Sequence, residues 1–354
     1  MNVLILPGDG IGPELAASAR ATLEALNSRF ALGLVLREMD IGYASLEKSG
    51  STIPDDVVEE AGKTDLVVLG PVDTANYPPP AEGGINPSAR LRKGLDLFAN
   101  IRPSRSFAGV PALAPGMDLV IVRENTEGFY ADRTMFAGNG EFMPTPDLAL
   151  AVRKVTREGS RRVADAAAAL AAKRRKRLTI VHKANVLKLS DGMFLEEALA
   201  AAARYPGLEV DEMHVDAAAS WLVRAPERFD VIVTTNMFGD ILSNQAAELS
   251  GGLGMAASLN AGFDTAVAQA AHGSAPDIAG QDRANPISLL LSTAMLLEWR
   301  GERAGRNDLV QAGKALTEAV AKLVAQAETR TYDLGGTLGT KAFTAALCQL
   351  LADA

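Results

Sequence analysis

Short apolar segments alternate with helix-length amphipathic segments along almost the whole chain. The strand candidates are Asn2–Leu6 and residues 34–38, 65–69, 118–122, 178–181 and 230–234. The helix candidates are residues 14–26, 146–172, 191–204 and 286–300. Because strands separated by helices pack as layers around a mainly parallel sheet, this alternation predicts an α/β fold. The length of 354 residues corresponds to about two domains.

The charge of the chain restricts the partners that it can bind. Lys and Arg number 35 and Asp and Glu 43, so the net charge is −8 and the surface as a whole repels nucleic acid and anionic membranes. No apolar run approaches the length of a membrane span, and the first residues lack the basic region of a signal peptide. A single cysteine and three histidines argue against a structural zinc site. We therefore expect a cytoplasmic protein with no nucleic-acid or membrane partner, and any metal ion to be held by oxygen atoms.

Three segments interrupt the alternation. Residues 78–84 combine three prolines with two glycines and predict an irregular loop. Residues 131–147 predict an arm or hairpin that leaves the body of the protein. The basic run at 173–177 is similar in composition to a nucleic-acid patch, but it follows an Ala-rich helix and precedes a strand. That position favours a solvated connection.

A glycine-rich turn joins the first strand to the first helix at residues 6–14. Its position is that of a dinucleotide-binding loop, and Glu38 closes the next strand as a ribose-binding acid would. The spacing is Gly-x-Gly-x-Gly, however, and Asp9 inside the loop would repel a pyrophosphate, so the sequence argues against a Rossmann fold. Two interpretations remain: a tight turn that requires positive φ, or a nucleotide contact of another kind. Pro13 is expected at the first position of the helix.

Three arginines, Arg92, Arg102 and Arg123, lie near predicted strand or helix ends. Arg123 follows an apolar strand, at the carboxyl edge where α/β proteins bind ligands. A guanidinium group binds a carboxylate through two parallel hydrogen bonds, so three convergent arginines suit a di- or tricarboxylate. Taken singly, each arginine fits a surface ion pair better.

Oxygen ligands for a metal ion follow further along the chain. Asp240 and Asn244 are four residues apart and share one face of a predicted helix. With Asp216 they provide ligands that suit Mg²⁺ or Mn²⁺. For Asp240 the alternative is a charge that stabilises the N-terminus of its helix, and this segment by itself does not separate the two.

Five segments carry distinctive motifs. Residues 6–12 are Leu-Pro-Gly-Asp-Gly-Ile-Gly, 95–103 Leu-Asp-Leu-Phe-Ala-Asn-Ile-Arg-Pro, 239–243 Gly-Asp-Ile-Leu-Ser, 272–280 His-Gly-Ser-Ala-Pro-Asp-Ile-Ala-Gly and 332–336 Tyr-Asp-Leu-Gly-Gly. By these motifs the chain resembles the isocitrate/isopropylmalate dehydrogenase family, the metal-dependent β-decarboxylating dehydrogenases, over nearly its whole length. The resemblance implies two α/β domains of the isopropylmalate-dehydrogenase type, formed by residues 1–98 with 250–354 and by 99–249. It also implies a homodimer that shares its active sites between subunits and has its interface in the second domain.

The resemblance further implies the residues of the active site. The substrate-binding set is Arg92, Arg102, Arg123, Ser88 and Asn185. Tyr130 would be the general acid, and the partner subunit's Lys183 would be the general base. The metal ion, Mg²⁺ or Mn²⁺, would be held by Asp240, by the partner subunit's Asp216 and more weakly by Asn244. The set that would hold NAD is Ile11, His272, Gly273, Ser274, Ala275, Asp277, Ile278 and Asn285.

In the implied reaction, Lys183 removes the hydroxyl proton of the substrate while C2 gives a hydride to nicotinamide. The resulting β-keto acid loses CO₂, and Tyr130 protonates the enolate. Asp277 places a carboxylate where the 2′-phosphate of NADP would lie, so NAD is favoured. Two positions depart from the family pattern, because Asn244 and Gln269 stand where acids are usual. These losses leave a non-catalytic regulatory subunit as an alternative to an enzyme.

The expected substrate is a (2R)-malate-type 2-hydroxy acid with a 3-substituent. The motifs at 122–128 and 182–188 resemble those of isocitrate and homoisocitrate enzymes. The segment before Arg92 is polar at Asn86 and Ser88, whereas an isopropyl group would require leucines there. The sequence therefore favours an isocitrate- or homoisocitrate-like acid. The alternatives are a 3-isopropylmalate dehydrogenase and a D-malate/tartrate dehydrogenase.

Overall fold

The computed structural model describes residues 1–130, 135 and 140–353. Within these residues the strands are β1 (Asn2–Leu6), β2 (Val35–Glu38), β3 (Leu66–Leu69), β4 (Ala99–Arg105), β5 (Asp118–Glu124), β6 (Glu141–Thr145), β7 (Leu148–Ala151), β8 (Arg177–His182), β9 (Glu209–His214), β10 (Val231–Thr234), β11 (Leu259–Ala261) and β12 (Ala266–Gln269). The helices are α1 (Gly12–Phe30), α2 (Tyr43–Ser49), α3 (Asp55–Lys63), α4 (Pro87–Gly94), α5 (Arg157–Lys173), α6 (Ser190–Ala202), α7 (Val215–Arg224), α8 (Asn236–Ser250), α9 (Ile287–Ala304), α10 (Asn307–Ala325) and α11 (Thr340–Asp353).

A ten-stranded sheet forms the centre of the protein, in the order β2-β1-β3-β12-β11-β4-β5-β10-β8-β9. The strands β2-β1-β3-β12 are parallel to one another, and so are β5-β10-β8-β9. Between these blocks, β11 is antiparallel to both β12 and β4, and β4 is antiparallel to β5. The predicted α/β fold with a largely parallel sheet is therefore confirmed.

The antiparallel centre gives the sheet two carboxyl edges. The loops that follow β1, β3 and β12 emerge at one edge, because these strands are parallel neighbours. The segments that follow β5, β10 and β8 emerge at the other edge. Since ligands of α/β proteins bind beyond the carboxyl ends of strands, each edge is a candidate binding region.

The apolar core is divided much as the predicted domains are. Two clusters of buried side chains come mainly from the two ends of the chain, and two come mainly from its middle. Phe107 and Val110 are exceptions, since they pack with the chain ends. The domain boundaries at 98/99 and 249/250 stay a prediction. No helix in the described part of the chain is long and apolar enough to cross a membrane.

The helix predicted at 146–172 is wrong in its first third. Leu148–Ala151 form β7, which pairs with β6 in a separate two-stranded sheet, and α5 begins at Arg157. Thr156 caps α5, because its side-chain oxygen accepts from the Gly159 N–H at 3.0 Å. Both strands of the hairpin are exposed, as expected of an arm. Of the arm predicted at 131–147, residues 131–134 and 136–139 lie outside the described residues.

Two other predicted segments agree with the structure. The proline-rich segment 78–84 is irregular apart from a single 3₁₀ turn, Pro80–Glu82. The basic run at 173–177 connects α5 to β8, and two of its arginines form ion pairs with other residues of the chain. Arg174 and Arg175 form ion pairs with Asp118 and Asp230. This segment is therefore a connection rather than a nucleic-acid patch.

Candidate active site

The glycine-rich turn predicted after the first strand joins β1 to α1. Gly8 and Gly10 have positive φ angles of 78° and 58°, which confirms the tight turn. A Cβ atom at Gly10 would lie 2.0 Å from the carbonyl oxygen of Ser274, and the Ile11 N–H donates to that oxygen at 2.8 Å. The turn therefore packs on the loop after β12, which carries the predicted NAD residues. Pro13 is the second residue of α1 and not the first.

Asp9 anchors this turn to neighbouring segments. Its side chain is buried and accepts from the N–H groups of Tyr43 at 2.8 Å and Asp73 at 3.0 Å, and from the hydroxyl of Tyr77. Burial raises the pKa of Tyr77, and the hydrogen bond to Asp9 raises it further. The carboxylate is thus occupied within the chain. This agrees with the argument that the turn does not bind a pyrophosphate in the Rossmann manner.

A pocket of about 250 Å³ lies beside the turn. It is lined by Ile11, Gly254, His272, Gly273, Ala275, Ile278, Arg283, Asn285 and Asp333. Six of the eight residues predicted to hold NAD are in this lining. Of the other two, Ser274 is buried beneath the turn and Asp277 is exposed. Burial lowers the pKa of His272, so its imidazole is uncharged at neutral pH.

Sequence reasoning missed three residues of this lining. Asp333 accepts from Asn285 Nδ2 at 2.8 Å, and a Cβ atom at Gly254 would lie 2.8 Å from both of those atoms. Asp333 belongs to the motif at 332–336, so a signal for it was present in the sequence. Gly254 and Arg283 belong to none of the quoted motifs, and only the folded chain brings them here.

Two of the three predicted arginines converge on one predicted metal ligand at the other carboxyl edge. Arg102 on β4 places Nη1 3.1 Å from Asp240 Oδ1, and Arg123 on β5 contacts the same oxygen. Asn236 Oδ1 accepts from Arg123 Nε at 3.2 Å and from Nη2 at 2.7 Å. Tyr130 completes the group, because the Arg123 Cζ atom lies 5.7 Å from the centre of its ring.

Arg102 and Arg123 are buried, with exposures of 9% and 2%. Burial, together with the adjacent charge of Arg123, lowers the pKa of Arg102 to about 10, so Arg102 remains charged at neutral pH. Its Nε atom is buried and has no hydrogen-bond partner among the described residues. A buried donor without an acceptor is costly, and a bound anion would satisfy it. This cluster is therefore suited to binding a carboxylate.

Lys183 and Asp216 form a second group. Lys183 directly follows β8, and its Nζ atom makes an ion pair with Asp216 at the start of α7. The hydrogen bond from Lys183 holds the pKa of Asp216 below its usual range. Among the described residues, Lys183 forms its ion pair with Asp216, whereas Asp240 forms ion pairs with Arg102 and Arg123. In the described part of the chain, the predicted base and the predicted substrate arginines therefore belong to two different sets of ion pairs.

The donor set fits a divalent metal ion only in part. Both arginines contact Oδ1 of Asp240, which leaves Oδ2 as the oxygen that a ligand would meet. Asn244 is exposed one turn further along α8. In the described residues of one chain, no group of three or more His, Cys, Asp and Glu side chains is placed to hold a metal. A metal at Asp240 therefore needs oxygen ligands from elsewhere, such as a second chain or the substrate.

The remaining predicted substrate residues lie on α4 and after β8. Ser88 and Arg92 are four residues apart on α4 and share one of its faces. Ser88 is buried, while Asn185 is exposed beyond the end of β8. Asn86 caps α4 by accepting from the Ala89 N–H at 3.0 Å. Its polarity therefore has a structural reason, and Ser88 alone carries the argument about the substrate.

The sequence model of the isocitrate/isopropylmalate dehydrogenase family matches residues 2–349. An isocitrate/homoisocitrate dehydrogenase of Thermus thermophilus is 42% identical over 351 residues, which cover 99% of this chain and 98% of that protein. A 3-isopropylmalate dehydrogenase of Methanothermobacter thermautotrophicus is 40% identical over 354 residues, which cover 100% and 99%. Sequence identity therefore does not favour one of these substrates over the other.

A solved structure matches the fold of this protein over nearly the whole length of both chains. The crystal structure of isocitrate dehydrogenase from Methylococcus capsulatus superposes with a TM-score of 0.87 at 36% identity, and the match covers 99% of each chain. The fold is therefore of the isocitrate-dehydrogenase type, as the motifs predict.

Proposed function

The chain belongs to the isocitrate/isopropylmalate dehydrogenase family and is a decarboxylating dehydrogenase, and from that premise we propose a specific reaction for it. It oxidises and decarboxylates an isocitrate- or homoisocitrate-like 2-hydroxy acid, with NAD as the hydride acceptor and Mg²⁺ or Mn²⁺ as the metal. The observation that carries this proposal is the polar environment of Ser88, one turn before Arg92. The Ser88 oxygen accepts from Gln269 Nε2 at 2.7 Å, so an isopropyl group placed there would leave the serine hydroxyl hydrogen without an acceptor, whereas a third carboxylate would accept it.

The arginine cluster supports a carboxylate ligand. In the absence of substrate, the Asp240 carboxylate accepts from both Arg102 and Arg123. A substrate carboxylate offers the same geometry and reaches the unpartnered Arg102 Nε atom. The substrate also adds negative charge beside two arginines, which favours the simultaneous binding of a cation at Asp240 Oδ2.

The proposed chemistry assigns one proton transfer to each of two side chains. Lys183 takes the proton of the substrate hydroxyl, and Tyr130 gives a proton to the carbon that has lost CO₂. Asp240 and the partner subunit's Asp216 would hold a divalent cation, which would supply positive charge that acidifies the substrate hydroxyl and stabilises the enolate. Arg102 and Arg123 hold the substrate carboxylates, and the pocket beside Ile11 holds the adenosine of NAD.

A homodimer with shared sites completes the proposal. Lys183 and Asp216 are the two residues assigned to the partner's site, and they lie together. Large apolar side chains are exposed close to the predicted site residues in sequence: Val186 and Leu189 follow Lys183, and Ile241 follows Asp240. The hairpin of β6 and β7 also exposes large apolar side chains. Exposed apolar surface of this kind is typical of an interface between subunits.

One substrate panel tests the proposed reaction. Isocitrate, homoisocitrate, 3-isopropylmalate, D-malate and tartrate are each assayed with NAD⁺ and Mg²⁺, and kcat/KM is compared. We expect the highest value for isocitrate or homoisocitrate. A highest value for 3-isopropylmalate would contradict the substrate assignment, and turnover of none of these acids would contradict the reaction itself.

A further inference from the structure

A buried ion pair lies beside the predicted base. Asp191, the second residue of α6, is fully buried, and its Oδ1 atom pairs with Arg153 Nη1. The side chain of Arg153 is only 9% exposed, and this residue belongs to the segment that joins the hairpin to α5. Replacing a buried ion pair by apolar side chains is often neutral or stabilising. Stability alone therefore does not account for the pair, and its other contacts matter.

Asp191 holds the main chain of Lys183. Its second carboxylate oxygen, Oδ2, accepts from the Lys183 N–H at 2.6 Å. The Lys183 carbonyl oxygen accepts from the N–H groups of Val186 at 3.0 Å and Leu187 at 2.8 Å. Both polar groups of the Lys183 main chain are therefore engaged in the turn between β8 and α6, and only the side chain of Lys183 remains to move.

Arg153 joins this turn to the start of α8. Its Nη1 atom also donates to Ser190 Oγ at 3.0 Å, and its Nη2 atom donates to Thr235 Oγ1 at 2.9 Å. Thr235 directly precedes α8, and the Arg153 Cζ atom lies 5.3 Å from the centre of the Phe238 ring in the first turn of that helix. One guanidinium group therefore fixes the turn of the predicted base to the helix that carries Asp240.

This link bears on the distance over which a proton is transferred. A general base must lie within hydrogen-bond reach of the proton that it takes, and a displacement of about 1 Å can cost about 100-fold in rate. With shared sites, Lys183 reaches the partner's site, so its main chain must be fixed relative to the surface that meets the partner. The helix α8 exposes Ile241 on that proposed surface, and Arg153 ties the Lys183 turn to α8.

We propose that Arg153 and Asp191 position Lys183 for proton transfer by holding its main chain against the start of α8. Both are positioning residues, because they act through Lys183 and not on the substrate. An arginine suits this place, since its planar fork donates to two segments at once, which a lysine ammonium does not reproduce. This inference rests on the proposed function and extends the machinery of that reaction to two residues outside the predicted site.

The direct test is Asp191→Asn, which removes the charge and keeps the shape of the side chain. An amide turns its oxygen to one of the two donors and its NH₂ group to the other, so Arg153 and the Lys183 N–H are no longer both satisfied. With the best acid of the substrate panel, we expect kcat to fall about 10- to 100-fold. KM for the acid and the calorimetric Kd of NAD should stay close to the wild-type values, because other residues hold these ligands.

Asp230→Asn is the matched control. Asp230 is equally buried, and it accepts from Arg174 Nε at 2.8 Å and from the Arg175 N–H at 2.9 Å. It directly precedes β10, whereas Lys183 follows the parallel neighbour β8, so the two lie at opposite edges of the sheet. We expect both variants to lose stability in denaturant unfolding, and Asp230→Asn to keep the wild-type kcat.

A second variant guards against a failure of Asp191→Asn to fold. Thr235→Val leaves the ion pair intact and removes only the acceptor beside α8, and the Thr235 hydroxyl makes no capping hydrogen bond. We expect kcat to fall about 3- to 10-fold, the range for one hydrogen bond, with KM unchanged. Thr293→Val on α9 removes a buried hydroxyl that donates to the Leu289 carbonyl at 2.8 Å, and it should leave kcat unchanged.

Each result decides for or against the inference. A fall in kcat that is confined to Asp191→Asn and Thr235→Val supports it. Wild-type kcat in these variants, an equal fall in the two controls, or a loss carried by KM alone would overturn it and leave the proposed reaction intact. If Asp191→Asn does not fold, Thr235→Val decides by itself. A wild-type protein that turns over none of the acids in the panel would overturn the proposed function, and the inference with it.

Discussion

The carboxylate of Asp277 has no structural partner among the described residues. Its carbonyl oxygen accepts from Gln281 Nε2 at 2.7 Å, but the 3₁₀ turn Pro276–Ile278 that contains Asp277 has no side-chain cap. Asp277 therefore does not cap this turn. The side chain is exposed beside the pocket that Ile278 and Asn285 line. It is therefore available to accept from the ribose hydroxyls of a dinucleotide.

We predict that Asp277 makes the enzyme prefer NAD to NADP. Two like charges 4 Å apart interact by about 4 kcal/mol at an effective dielectric constant of 20, and solvent reduces this, so we expect a preference of at least roughly 100-fold. Asp277→Lys with Ile278→Tyr should shift the ratio of kcat/KM values toward NADP. Asp264→Lys, in the exposed turn between β11 and β12, is the matched control. An unmoved ratio in the double variant would contradict the role of Asp277.

His182, the last residue of β8, is held in its neutral form. Its Nδ1 atom accepts from the Ala184 N–H at 3.0 Å, so the proton of the neutral ring lies on Nε2. Burial lowers the pKa of His182, and the His214 ring 5.4 Å away lowers it further. Glu212, with Oε2 4.0 Å from Nε2, and Asp191 oppose this shift without cancelling it.

A pH dependence of stability follows from this lowered pKa. Between the folded pKa and the unfolded value near 6.5, the unfolded chain binds more protons than the folded chain. The free energy of unfolding should therefore decrease as pH falls below about 6.5. His182→Asn keeps an acceptor near Ala184 without a titratable ring and should make this decrease shallower. Denaturant unfolding at pH 7.5, 6.5 and 5.5 measures it, and equal slopes for both proteins would contradict the prediction.

At the scale of elements, the turn after β1 and the loop after β12 behave as one unit. They are joined by the bond from the Ile11 N–H to the Ser274 carbonyl, and the absence of a side chain at Gly10 allows this approach. Asp9 fixes the turn from its other side. The pocket lined by residues of both segments therefore depends on their contact, although they lie more than 250 residues apart.

Gly10→Ala should test this dependence. Its Cβ atom would lie 2.0 Å from the Ser274 oxygen at a φ of 58°, so we expect a loss of roughly 3–5 kcal/mol in stability and weaker NAD binding. Gly33 has a φ of 68° with nothing within 4 Å of an added Cβ. Gly33→Ala should therefore cost only about 1–2 kcal/mol and leave NAD affinity unchanged. Similar NAD affinity in both variants, by calorimetry, would show that the loop contact does not shape the pocket.

Four of the six strands that the sequence predicted contain a continuous run of buried apolar residues. β1, β3, β5 and β10 are buried almost throughout, and such runs are visible without knowledge of the fold. β4 and β11 were not predicted. Each contains a buried asparagine, Asn100 and Asn260, whose polarity hides the strand in the sequence. The hairpin was taken for helix because Leu148–Ala151 suit both structures, and only pairing with β6 decides between them.

The residues of the candidate site likewise fall into those that the sequence predicted and those that it did not. Motifs singled out the arginines, Tyr130, Lys183 and most of the residues that line the pocket beside the glycine-rich turn, since these residues lie in distinctive local segments. The hydrogen bond from Gln269 Nε2 to Ser88 Oγ could not be predicted, because it joins residues 181 positions apart in sequence. The sequence marked Gln269 as unusual, and only the folded contacts give it a partner in Ser88.

At the scale of the whole molecule, the predicted catalytic and metal-binding residues form two groups of ion pairs. Arg102, Arg123 and Asp240 form one group, and Lys183 with Asp216 forms another. No ion pair in the described part of the chain joins Lys183 to Asp240. Apolar residues such as Leu189, which is 90% exposed, offer surface for a second chain, and we predict a dimer in which each chain lends Lys183 to the other.

Mixing two inactive variants tests this arrangement. Lys183→Met removes the proposed base, and Tyr130→Phe removes the proposed acid, so each homodimer should be inactive. In a mixed dimer with shared sites, the intact Tyr130 of one chain meets the intact Lys183 of its partner, and one of the two sites is restored. Random reassortment of equal amounts should then return about a quarter of wild-type activity, since half of the dimers are mixed and each has one working site. If Lys183 instead served its own chain, every site in the mixture would lack one residue and no activity would return. Native mass spectrometry shows whether mixed dimers have formed, so inactivity in their presence would mean that the sites are not shared.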